Sequence, residues 1–213
     1  MNTRIQVEHP ITEAVTGVDL VRAQLEIAAG RPLGFRQEDV VQRGWAIECR
    51  IYAEDPENNF LPAPGRIDVL RVPSGIGIRD DSGVYEGFEV STHYDPILSK
   101  LVAWGRNRDE AIGRMLRALR EYVIVGPVSN VAFHRWALEH PAFRAGDIDT
   151  GFIARHFQKG VLGGDTTADL PLIGAALAAV ARGGTAAGRN GAPPASAPRS
   201  RWREIARREA LRD

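Results

Sequence analysis

Between Pro56 and Gly105 the chain is interrupted by Pro and Gly at short intervals, with β-rich stretches such as GRIDVLRVP and SKLVAWG between the interruptions. Long elements do not survive such punctuation, because proline lacks a backbone donor and glycine loses the most conformational freedom on ordering. The pattern predicts several short antiparallel strands over about 56–105. Just before them, Trp45, Ile47, Cys49 and Ile51 alternate with Ala46, Glu48, Arg50 and Tyr52. Period-2 alternation is the signature of a half-buried strand, and it sets Arg50 on the polar face with Glu48 beside it.

Helical periodicity flanks this β-rich block. Val18, Val21, Leu25 and Ala28 recur at the spacing of one helical face, so a helix is expected over about 17–29, with Thr16 and Asp19 at its start and Gly30 as its stop. A second helix is expected over about 108–123, with the stripe Ile112, Met115, Leu119 and Tyr122, Asn107 as its cap and Glu110 three residues on. Shorter helices are expected at 130–139 and 150–157, and LPLIGAALAAVAR forms a further apolar, alanine-rich segment within 161–182. Between Gly183 and Pro198, fourteen of sixteen residues are Gly, Ala, Pro, Ser or Thr. That stretch has too few large apolar side chains to offset its ordering entropy, so a flexible linker is expected over 183–200. The tail over 201–213, RWREIARREALRD, reads as the start of a following region.

Composition narrows the function classes. The 27 basic residues match the 27 acidic ones, so no electrostatic footprint for nucleic acid or an anionic membrane is present, and the five arginines of the tail are accompanied by three acids. Cys49 is the single cysteine, which excludes an internal disulfide and suits a reducing compartment. No apolar run approaches the roughly 18 residues of a membrane span, and the N-terminus carries no signal pattern. A cytoplasmic protein that contacts neither nucleic acid nor membrane is the expectation.

Most familiar constellations are missing. No glycine loop ends in Lys-Ser/Thr, and Gly75 and Gly77 in PSGIGIRD lack the following helix of a dinucleotide fingerprint, so a turn is expected there. The histidines at 9, 93, 134, 140 and 156 show no metal-ligand spacing. Cys49 falls on the apolar side of its strand and reads as core. Lys100, set between apolar residues, reads as a snorkelling surface lysine. The stretches AEDP with Phe60, Pro62, Pro64 and Gly65, and HYDP with Asp95 and Pro96, read as turns and bends.

What remains is MNTRIQVEHP at the N-terminus. Read as a strand, it sets Arg4, Gln6 and Glu8 on one side and Ile5 and Val7 on the other. Fixed guanidiniums clamp planar anions or stabilise a developing oxyanion, and a carboxylate between them can accept a proton. Such a cluster is either a solvated face with an ordinary Arg–Glu pair or part of a site, and alternation does not choose.

Three stretches carry a resemblance: MNTRIQVEHPITEAVTGVDLVRAQLEIAAG, then ECRIYAEDP with FLPAPGRI, then HYDPILSKLVAWGRNRDEAIGRM. They resemble the C-terminal half of the biotin carboxylase component of acetyl-, propionyl- and methylcrotonyl-CoA carboxylases, over residues 1 to about 157. The resemblance implies an α+β chain: a remnant of an ATP-grasp domain over 1–44, a biotin carboxylase C-terminal domain of short antiparallel strands with flanking helices over 45–160, then a helical segment and a disordered linker.

By the same resemblance, Arg4 holds bicarbonate, with Gln6 and the backbone of Val7 as companion contacts, and Glu8 is the base that deprotonates it. Arg50 stabilises the enolate of biotin, and Asn2 lies beside a Mg2+ or Mn2+ ion. The cofactors implied are ATP, Mg2+ or Mn2+, and biotin supplied on another domain or chain, since the biotin-accepting Ala-Met-Lys-Met motif is absent. The implied partners are an N-terminal biotin carboxylase half, a biotin carboxyl carrier domain, a second copy of the chain and a carboxyltransferase subunit. The ATP-binding half of the family pattern is not in this sequence, so the chain alone is expected to be inactive. Two readings stay open: part of an ATP-dependent biotin carboxylase, or a non-catalytic interaction module that associates with a full-length carboxylase.

Overall fold

The structure, a computed structural model, describes residues 2–162, which fall within one compact unit. Of the helical segment, linker and tail expected over 161–213, residues 161–162 are a turn and the rest lie outside the described residues. In chain order the elements are α1 (His9–Thr16), α2 (Leu20–Ala28), β1 (Trp45–Tyr52), β2 (Glu54–Asp55), β3 (Leu61–Pro62), β4 (Gly65–Arg66), β5 (Val69–Arg71), β6 (Ile78–Ser82), β7 (Glu89–Val90), β8 (Ile97–Gly105), α3 (Arg108–Glu121), β9 (Val123–Val125), α4 (Val131–Glu139), α5 (Pro141–Ala145) and α6 (Phe152–His156).

The central sheet has the order β1-β8-β6, all antiparallel. Its two long strands alternate faces, as the sequence of β1 requires. Cys49, Ile51, Leu101 and Ala103 are buried on one face, against Ile112, Met115 and Leu119 of α3. Helix α3 starts where expected, because the Asn107 side chain accepts from the Glu110 N–H at 2.9 Å. Cys49 is core, and burial pushes its thiol well above the ordinary range. The Pro/Gly-rich block forms the short pairs β2–β3, β4–β7 and β5–β9, each antiparallel. Gly77 does make a turn: its φ is +75°, and a Cβ there would meet the Trp104 carbonyl oxygen at 2.6 Å.

One expectation for the N-terminal stretch is overturned. Residues 2–8 form no strand; Arg4 lies in a bend and the backbone turns into α1, with His9 N–H donating to Gln6 O and Ile11 N–H to Glu8 O, both at 3.1 Å. Pro10, in the first turn of α1, favours helix at this point because its fixed φ suits that turn and its missing N–H is no loss there. The helix expected over 17–29 forms as α2 from Leu20: Gly17, whose φ is +75°, ends α1, and Asp19 caps α2 through a 2.8 Å bond from Arg22 N–H. Its apolar stripe is not a buried face: α2 has no buried residue, and Leu25 is 68% exposed.

Polar ties hold the stretch 2–36 to the sheet. Glu13 of α1 accepts from Leu20 N–H at 2.8 Å and from Arg79 of β6 at 2.7 Å, and Lys100 of β8 reaches the Val7 carbonyl at 3.4 Å. Lys100 is therefore no snorkelling surface lysine; its side chain is 17% exposed, and its Nζ also lies 3.7 Å from Asp81. Burial pulls the Asp81 carboxyl upward, but Arg79 and Lys100 outweigh it and the group sits below its ordinary value. Among the described residues no helix is long and apolar enough to cross a membrane.

Candidate functional site

The face of β1 opposite the core carries Glu48, Arg50 and Tyr52, and it becomes a site because other elements aim side chains at Arg50. From one side comes Glu8, the residue that begins α1. Its carboxylate makes no capping bond; instead it accepts from Arg50 Nη2 at 2.9 Å. From beneath, Glu48 Oε1 lies 3.4 Å from Arg50 Nε. The Glu48 side chain is only 6% exposed, and its Oε2 is buried with no hydrogen-bond partner among the described residues. Burial raises the Glu48 carboxyl above its ordinary value, and the opposing attraction of Arg50 and Lys100 does not cancel that. Burial alone would lower the guanidinium of Arg50, yet the Glu48 carboxylate beside it leaves it raised.

The backbone of Arg50 is held as firmly as its side chain. Strand β1 has β8 on one edge, and its other edge has no strand partner in the sheet. Asn130, immediately before α4, fills that edge: its Oδ1 accepts from Tyr52 N–H at 3.0 Å and its Nδ2 donates to the Arg50 carbonyl at 3.1 Å. His134, one helical turn on, meets the same carbonyl through Nε2 at 2.9 Å, which makes Nε2 the protonated nitrogen. Burial lowers the pKa of His134 against the pull of that hydrogen bond.

These residues line a cavity of about 540 Å3, whose wall includes Glu8, Glu48, Arg50, Glu54, Phe60 and His134. Phe60 enters it from a backbone in the left-handed region, φ +56°, and its ring packs edge-on against Phe133 at 5.0 Å. A bulky residue holds that conformation only where its surroundings fix it.

The sequence-derived candidates separate into two groups. Glu8 and Arg50 meet. Arg4 is exposed, and its Nη1 donates to the neighbouring Ile5 carbonyl at 3.0 Å. Arg4 and Gln6 line an adjoining cavity of about 550 Å3 with Ile27, Leu33 and Phe35, and Glu8 stands in the wall of both cavities. The Val7 carbonyl faces Lys100, and Asn2 is exposed in irregular chain. Sequence reasoning missed Asn130 and His134. The available signal was an Asn and a His four residues apart at a helix start, which shares one helical face but does not say what that face meets. Among the described residues no group of three or more His, Cys, Asp or Glu is placed to hold a metal ion.

The comparisons with known proteins supply the context for an arginine held between two carboxylates beside a cavity. Residues 48–155 match the model of the biotin carboxylase C-terminal domain, and residues 1–36 match that of the carbamoyl-phosphate synthase L chain, ATP binding domain. The chain belongs to the biotin carboxylase family. Among curated relatives, biotin carboxylase 1 of Bacillus subtilis is 50% identical over 153 residues, which cover 72% of the chain and 34% of that protein. The biotin carboxylase of a Nostoc species is 52% identical over 153 residues, again covering 72% and 34%. The chain thus spans about a third of the length of the curated relatives it matches.

The fold agrees with solved biotin carboxylases. The biotin carboxylase domain dimer of Hydrogenobacter thermophilus 2-oxoglutarate carboxylase, solved in complex with MgADP, ADP and bicarbonate, superposes with a TM-score of 0.72 at 42% identity, over 73% of this chain and 34% of that one. The mixture of helices and short antiparallel strands is the biotin carboxylase fold.

Proposed function

We propose that this chain contributes the bicarbonate- and biotin-facing part of a biotin carboxylase, an enzyme that uses ATP and bicarbonate to carboxylate biotin borne on another domain or chain. The observation that carries the reading is the 2.9 Å contact between Arg50 and Glu8, which joins the two stretches of sequence that the family resemblance assigns to one site. In this reading residues 1–44 end an ATP-grasp domain and 45–160 form the C-terminal domain.

Each side chain then has a chemical task. Arg4 presents forked donors to the bicarbonate oxygens, with Gln6 and the Val7 backbone completing the contact. Glu8 accepts the bicarbonate proton, so that the freed oxygen can attack the γ-phosphate of ATP and form carboxyphosphate with release of ADP. Carboxyphosphate breaks down to carbon dioxide and phosphate, and the phosphate takes the ureido proton of biotin. Arg50 stabilises the negative charge that this leaves on the ureido oxygen; a donor already aimed at that oxygen needs no reorganisation as charge develops. The Asn2 position stands beside the metal in this scheme, although the described residues present no cluster of three or more His, Cys, Asp or Glu to hold an ion.

The partners that follow are an N-terminal biotin carboxylase half, a biotin carboxyl carrier domain, a second copy of the chain and a carboxyltransferase subunit. The test is ADP formation dependent on bicarbonate and biotin, assayed with the chain alone and mixed with an N-terminal half from a relative. Activity is expected only on mixing, and Arg50→Ala is expected to lower the biotin-dependent rate by about 10²–10³-fold. Arg4→Ala is expected to depress bicarbonate-dependent ATP cleavage even without biotin. Absence of activity in every mixture would overturn the reading in favour of an interaction module.

A further inference from the structure

Two helices begin beside Arg50 after a residue whose side chain makes no bond to its own helix. Asn is among the best N-cap residues, and a capping bond from it stabilises a helix by about 1 kcal/mol. Yet Asn130 makes no capping bond to α4, just as Glu8 makes none to α1. Both reach β1 instead: Glu8 takes the guanidinium of Arg50, and Asn130 takes the Arg50 carbonyl and the Tyr52 N–H two residues on. Asn130 is only 4% exposed, so its amide is not borrowing a surface position.

The geometry points to Asn130 and His134 as positioning residues that fix the direction of Arg50. The carboxamide of Asn130 imitates a neighbouring strand, accepting from Tyr52 N–H and donating to the Arg50 carbonyl two residues back along β1. His134 adds a second donor to the same carbonyl, so both acceptor positions of that oxygen are filled. With the peptide immobilised, the Cα–Cβ bond of Arg50 has one direction, and Glu48 bonded to Nε fixes the rest of the side chain below its fork. Glu8 is left as the one exposed carboxylate on the fork, the partner that an incoming anionic oxygen can displace. The inference rests on the carboxylase reading for what Arg50 stabilises, but not for how Arg50 is held.

Two measurements separate those claims. In the full chain, the Arg50 Nε–H signal is followed by NMR. Asn130→Ala and His134→Phe are each expected to speed its solvent exchange by about tenfold, by freeing the peptide that aims it, whereas His134→Gln, which keeps an N–H donor for the carbonyl, is expected to stay near wild type. Unchanged exchange in both Asn130→Ala and His134→Phe would overturn the proposal whatever the enzyme does.

In the mixture with an N-terminal half, Asn130→Ala is expected to lower kcat for biotin carboxylation by about tenfold to a hundredfold, since misplacement of order 1 Å costs that much. Bicarbonate-dependent ATP cleavage without biotin should stay within about twofold. An equal fall in both rates marks a merely structural residue and also overturns the proposal. Asn130→Asp, which keeps the Tyr52 contact and loses the donor to Arg50, serves if the alanine variant fails to fold, with the same split expected. If wild type shows no activity in any mixture, the carboxylase reading fails and the exchange measurement alone decides the positioning claim.

Discussion

The stretch 2–36 and the sheet with its covering helix α3 are stabilised by different physics. In the sheet, Ile51, Leu101, Ile112, Met115 and Leu119 are wholly buried, and the elements cohere through apolar contact. In the stretch before it, α2 buries nothing, and α1, which buries only Pro10, is tied down mainly by charged hydrogen bonds at Glu8 and Glu13 and by Lys100 on the Val7 carbonyl. The same contrast divides the two arginines: Arg50 stands on a strand pinned along both edges, whereas Arg4 stands in a bend and bonds to its own neighbour. A site assembled across such a boundary has one rigid wall and one wall that depends on polar ties.

The contrast makes specific demands on variants. Leu101→Ala, which opens a cavity between β8 and α3, is expected to lower unfolding stability by about 2–5 kcal/mol in denaturant titrations. Glu13→Ala removes the acceptor of Leu20 N–H while Arg79 keeps both bonds to Asp81, and about 1 kcal/mol is expected. Hydrogen exchange should then accelerate in α2 well before it does in β8; uniform acceleration would show that the two regions are one cooperative unit.

Asp80 supplies a smaller, pH-dependent effect. Burial raises its carboxyl above the ordinary 3.8, even though it is hydrogen-bonded to Ser99 and Tyr122. A raised carboxyl favours the folded state fully below 3.8, and that contribution is lost as pH rises through the folded value. Wild type should therefore lose stability relative to Asp80→Asn as pH is raised from about 3.8, and parallel profiles would refute the assignment. Smallest of all, Leu25→Ala on the exposed face of α2 is expected to change stability by no more than about 0.5 kcal/mol.

The parts of the fold that were legible are those whose pattern has one physical solution. The alternation from Trp45 to Tyr52 and the cap at Asn107 each led to the element that forms. The opening segment misled because Arg4, Gln6 and Glu8 alternate like a strand, yet a strand needs a partner for its backbone, while Pro10 and Gly17 delimit a helix locally. The stripe on α2 was read correctly as a helical face, but periodicity gives a face and not its cover. At the candidate site, the family motif pointed to Arg50 and Glu8, which do meet, while Asn130 and His134 went unseen because their partner is a backbone carbonyl some 80 residues away.

Local chemistry written in the chain was enough to determine which side of β1 is polar, where α3 begins, and that Cys49 belongs to the interior, because alternation and capping act within a few residues. Only the folded arrangement decided that Glu8 reaches Arg50, that Asn130 forgoes its cap for the same strand, and that Lys100 turns inward to Val7. Those choices depend on which groups from distant segments lie within about 3 Å of one another, a distance at which a hydrogen bond outweighs a cap's intrinsic preference.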